Sequence, residues 1–105
     1  MITVTFFKSE DVLSGFRVSG HSDYSEQGSD IVCAAVSSAT YLAANTITDV
    51  QHINAEVTER DGFMSLKLPQ NEAENARVIL ARLELHLTAL SEQYNKYIKV
   101  KISEV

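Results

Sequence analysis

Asp61-Gly62 sits between two runs in which apolar and polar residues alternate. His52 to Arg60 sets Ile53, Ala55 and Val57 against Asn54, Glu56 and Thr58. Phe63 to Leu68 sets Met64, Leu66 and Leu68 on one face. Alternation is the signature of a half-buried strand. An Asp-Gly pair between two such runs signals a two-residue hairpin, expected here as a type I′ turn. A chain that makes such a hairpin needs a sheet to hold it.

The remaining segments supply that sheet and its cover. Ile2, Val4 and Phe6 alternate with Thr3, Thr5 and Phe7, and the turn-forming Lys8-Ser9-Glu10-Asp11 follows. Val12 to Gly20 reads as a second, antiparallel strand, in which Gly15 marks a bulge or a close backbone approach. Asp30 to about Asp49 lacks Gly and Pro and is rich in alanine, so a helix is expected. Ile31, Ala34, Ala35, Ser38 and Leu42 fall on one stripe, and Cys33, Ser37 and Thr40 on another. After Pro69, Asn71 is expected to cap a second helix reaching about Tyr94. Its apolar stripe is Ala76, Ile79, Leu80, Leu83, Leu87 and Leu90. Tyr97 to Glu104 is a last strand. The fold class is therefore α+β. Residues 1–105 form a single domain with the order β-β-α-β-β-α-β, a mostly antiparallel sheet packed with two helices.

Charge and composition narrow the function. A net charge of −5 argues against a general nucleic-acid binder, which needs clustered Lys and Arg. The single cysteine excludes an intramolecular disulfide and points to a reducing compartment. Met1 to Phe7 is a strand pattern without a basic flank, so no signal peptide is expected. No stretch reads as the roughly 18 apolar residues of a membrane span. A cytoplasmic protein with no membrane contact is the expectation. No His/Cys spacing matches a zinc site and no glycine-rich phosphate loop is present, so neither metal nor cofactor is expected.

The chemistry concentrates between Gly20 and Ser37. Gly20-His21 ends a strand, Ser22 to Gly28 is a polar, glycine-closed loop, and a helical pattern starts at Ser29 or Asp30. A short side-chain oxygen there caps the helix by accepting from its orphan N–H groups. Cys33 then lies in or just after the first turn, where the helix dipole favours a thiolate. A cysteine nucleophile needs a base within hydrogen-bond reach, and His21 across the loop can supply it. Each residue also has a plainer role. A lone cysteine is usually a small buried hydrophobe. His21 can bond only backbone, Asp30 can serve only as a cap, and Ser37 can be only a small residue at a packed face. His52 and His86 read as surface or border residues. Lys96, Lys99 and Lys101 read as a solvated strand face.

The sequence Gly20-His21, then Gly28, then Asp30-Ile31-Val32-Cys33-Ala34-Ala35-Val36-Ser37 resembles the signature of the ribosomal-processing cysteine protease family, Prp. The order of elements fits that family along the whole chain. Ser22 departs from it, standing where the family usually has alanine. The resemblance implies a bacterial cysteine endopeptidase that removes the N-terminal extension of ribosomal protein L-twenty-seven, a step required for ribosome maturation. It implies an apolar and aromatic recognition sequence, a homodimer, and a mobile loop over the site. It places the nucleophile on Cys33 and the proton acceptor and donor on His21, with Asp30 and Ser37 as supporting residues. Ser22, Asp23, Tyr24 and Gly28 are the candidate lid and substrate-binding residues. The alternative is a non-catalytic ribosome-assembly or protein-binding module in which Cys33 is core.

Overall fold

The computed structural model describes residues 1–25 and 30–105. Five strands, β1 (Ile2–Ser9), β2 (Val12–Ser19), β3 (Glu56–Arg60), β4 (Phe63–Lys67) and β5 (Ile98–Glu104), form one mixed sheet in the order β3-β4-β2-β1-β5. Strand β1 pairs antiparallel with β2, and β2 pairs antiparallel with β4. Strand β3 lies at one edge, antiparallel to β4. At the other edge β5 runs parallel to β1. That parallel pairing is possible because helix α2 (Arg77–Gln93) carries the chain back between β4 and β5.

The period-2 pattern decides which face is covered. Ile2, Val4 and Phe6 of β1, Phe16 of β2, Met64 and Leu66 of β4 and Ile98 of β5 are buried. They share one core with Val32, Val36, Ala43 and Ala44 of helix α1 (Ile31–Asn45) and with Leu80, Leu83 and Leu87 of α2. Alternate residues such as Arg17 and Lys99 are exposed on the opposite face. Phe6 and Phe16 are cross-strand partners with ring centroids 6.3 Å apart. Burying a side chain of this size contributes about 1.5–3 kcal/mol. Gly15 fulfils both parts of its expectation. The β1–β2 register shifts beside it, and a Cβ there would lie 2.2 Å from the Leu66 carbonyl oxygen of β4.

Several sequence expectations need correction. The type I′ pattern belongs to the first hairpin, where Glu10 and Asp11 both have positive φ (52° and 66°). In the Asp61-Gly62 turn only Gly62 does (69°), as a type II turn requires. The buried side of α1 carries Val32, Val36, Thr40, Ala43 and Ala44, whereas Ile31 and Leu42 are 56% and 67% exposed. Asn71 does not cap α2. A 3-10 turn (Gln70–Glu72) intervenes, and the helix starts at Arg77 without a side-chain cap. Helix α1 continues as a π-helical segment, Thr46–Val50, and together they make a run of 20 residues with mean hydropathy 1.3. Contrary to the sequence reading, that run is long and apolar enough to cross a membrane. Part of that apolar character is core: Val32, Val36, Ala43, Ala44 and Ile47 are buried with the sheet residues.

Candidate active site

Strand β2 ends at Ser19, and His21 follows after Gly20 at the sheet's end. Helix α1 begins at Ile31, which places Cys33 in its first turn. The two residues line two adjoining cavities in common. The first, of about 420 Å³, has an apolar floor of Ile2, Val18, Val36 and Met64. The second, of about 380 Å³, is lined by Asp23, Asp30 and Asp61, with Ser25, Ala34 and Ser37. Ser37 lines both, and Thr40 lines the first. The stripe Cys33, Ser37 and Thr40 is therefore the face that α1 turns to the cleft. Cys33 is half-buried there, a small apolar neighbour of the core and also a cavity wall.

Asp30 organises the helix start. Its Oδ1 accepts from the Cys33 N–H at 2.9 Å, which caps α1, and its other oxygen accepts from the Ser22 hydroxyl. Burial by itself would raise the Asp30 pKa. Hydrogen bonds from the Ser22 hydroxyl and from the backbone N–H groups of Cys33, Val32 and Ser25 outweigh it and hold the carboxyl below its ordinary value of 3.8. The Ala34 N–H is also taken, by the Asp30 carbonyl at 3.1 Å. The N–H groups of Val32, Cys33 and Ala34 thus already have Asp30 as a partner and are not free for an oxyanion.

The lid residues divide. Ser22 is 1% exposed, and its hydroxyl also accepts from the Tyr24 N–H at 3.2 Å. It is a buried anchor of the loop and lines neither cavity. The serine hydroxyl therefore ties the loop to Asp30. Asp23 lines the second cavity, with its carboxylate 3.3 Å from the Met1 amine. Tyr24 turns away from the cleft and packs edge-on against Tyr94 and Tyr97, at 5.9 and 5.1 Å. An aromatic ring is stabilised by such contacts, and this outweighs an open position over the site. Gly28 lies outside the described residues.

The far wall of the cleft was not legible in the sequence. It is the β3–β4 hairpin: Glu59, Asp61, Gly62, Phe63 and Met64 all line the first cavity. Alternation marked Met64 as core and Asp61-Gly62 as a turn. That the hairpin end meets His21 depends on a contact between residues 42 positions apart, the Gly20 N–H to the Gly62 carbonyl at 2.9 Å. Tyr41 reaches the same wall. Its hydroxyl bonds to Glu59, which, with burial and the carboxylate's charge, raises the tyrosine pKa above 10.0.

A family model described as cysteine protease Prp matches residues 1–99. The chain belongs to the Prp family. The Prp of Staphylococcus aureus, a ribosomal processing cysteine protease, is 27% identical over 103 residues, which cover 95% of this chain and 97% of that one. The Bacillus subtilis Prp is 26% identical, covering 95% and 96%. Among solved structures, the essential S. aureus Prp with a covalently linked product peptide superposes with a TM-score of 0.90 at 26% identity. The match covers 98% of this chain and 100% of that one. The same enzyme with a substrate peptide, at 24% identity, gives 0.84 and bears on the fold. Prp membership decides between the two classes the sequence left open: the protein is a cysteine protease and not a non-catalytic module.

Proposed function

We propose that this protein is an endopeptidase that removes the N-terminal extension of bacterial ribosomal protein L-twenty-seven in the cytoplasm, with Cys33 as nucleophile and His21 as base. One observation carries the reading. The only cysteine of the sequence stands at a helix start and shares two cavities with a histidine, in a chain that belongs to a cysteine protease family.

The chemistry follows from those positions. His21 takes the thiol proton, and the Cys33 sulfur attacks the scissile carbonyl. The oxyanion needs donors other than the capped N–H groups of the first turn. Ser37, one helical turn beyond Cys33 and lining both cavities, is the side-chain donor in place. Protonated His21 gives its proton to the leaving amine. A water, deprotonated by His21, then hydrolyses the thioester and restores the thiol.

The cleft fits such a substrate. Its apolar floor suits apolar and aromatic residues on one side of the cut, and the carboxylates of the second cavity complement the cationic side chains of a ribosomal protein. The small and apolar residues left open on α1, Ile31, Ala34, Ser38 and Leu42, support a homodimer through that face.

The test is cleavage of the extended ribosomal protein by wild type and by Cys33→Ala and His21→Ala, with products read by mass. One discrete cut by the wild type, lost or nearly lost in both variants, is expected. Cleavage that survives Cys33→Ala refutes the assignment.

A further inference from the structure

We propose that Gly62 is a positioning residue for His21, and that the bare backbone of the β3–β4 turn is the wall that sets the imidazole against Cys33. This rests on the reading of His21 as the base.

The geometry is specific. A Cβ built on Gly62 would stand 2.8 Å from His21 Nε2, 3.1 Å from Cε1 and 3.5 Å from Cδ2. The imidazole edge thus occupies the space where a side chain at position 62 would go. The hairpin is fixed there by the Gly20 N–H, which donates to the Gly62 carbonyl at 2.9 Å, one residue before the histidine. His21 is itself exposed, and the Gly62 backbone stands close enough to its ring to limit the orientations the ring can take.

Gly62 meets two separate demands. Its φ of 69° is one that glycine adopts freely and asparagine adopts more readily than most residues. Its missing side chain leaves room for the ring. Asparagine meets the first demand and fails the second, so Gly62→Asn separates turn formation from histidine placement.

The measurements are Tm, kcat and KM for peptide cleavage, and the rate of Cys33 alkylation by iodoacetamide, on the intact protein. Gly62→Asn is expected to keep the wild-type Tm within a few degrees. It should lower kcat by roughly ten- to a hundred-fold with KM little changed, because a small misplacement of a reacting group costs on that order. Alkylation should slow towards the His21→Ala rate. In a His21→Ala background, Gly62→Asn should cost nothing further, since its effect passes through the ring. Unchanged kcat and alkylation in Gly62→Asn overturn the proposal, as does an equal further loss in the His21→Ala background. If the variant does not fold, the wild type decides by NMR: cross-peaks between the Gly62 α-protons and the His21 ring protons are expected, and their absence overturns it. Full cleavage by His21→Ala would instead sink the base assignment, a separate result.

Discussion

Asp30 shows how one side chain can serve stability and the site together. It caps α1 through the Cys33 N–H and holds the loop through Ser22, so it fixes the backbone on both sides of the cleft. Because its pKa is lowered on folding, the native chain binds fewer protons at Asp30 than the unfolded chain. The resulting stabilisation is full above the ordinary carboxylate pKa. It is lost as pH falls through the lower folded value. Asp30→Asn, which keeps a capping oxygen and cannot ionise, should flatten that acid limb in Tm measured against pH. A limb of the same size in the variant would assign it to other carboxylates. Ser37 makes a second prediction at this scale. Ser37→Ala should reduce kcat on the order of a hundred-fold with KM little moved, as removal of one oxyanion donor does. A rise in KM alone would make Ser37 a substrate-binding residue instead.

At the scale of elements, each strand and helix was legible to the extent that its own period carried information. Strands β1, β2, β4 and β5 alternate cleanly, and their bounds fall close to the expected ones. Helix α2 shows its leucine stripe, and Leu80, Leu83 and Leu87 are buried as expected. Helix α1 was legible as a helix but not in its facing. Its Ala, Ser and Thr residues give little contrast between sides, and Leu42 drew the stripe away from Val32, Val36 and Ile47. The corrected facing predicts an asymmetry. Ile47→Ala, at a fully buried position, should cost about 2–5 kcal/mol in chemical denaturation. Leu42→Asp should leave the chain's stability within about 0.5 kcal/mol, as surface substitutions do. The homodimer proposed through this face predicts that the same variant weakens self-association in sedimentation. Equal destabilisation by both would contradict the observed packing.

At the scale of the molecule, the cleft exists because three distant segments converge: the end of β2, the start of α1 and the β3–β4 turn. The first two are joined by the loop, so the convergence of His21 and Cys33 on one cleft is legible in the sequence. The third arrives through sheet order, β4 beside β2, which no local pattern encodes. Local pattern accordingly marks Asp61-Gly62 as a turn and nothing more, and Tyr24 as a possible substrate contact, whereas the Tyr24 ring docks on Tyr94 and Tyr97. Covalent catalysis at Cys33 leaves a mass on the enzyme. A single turnover on the extended ribosomal protein, acid-quenched within milliseconds to seconds, exposes it in the intact enzyme mass. The acyl-enzyme should carry an added mass equal to the released extension less one water. That mass should map to the peptide containing Cys33, decay as free product appears, and be absent from Cys33→Ala. Cleavage at the full rate, with no added mass at any quench time and no dependence on Cys33, would contradict covalent catalysis.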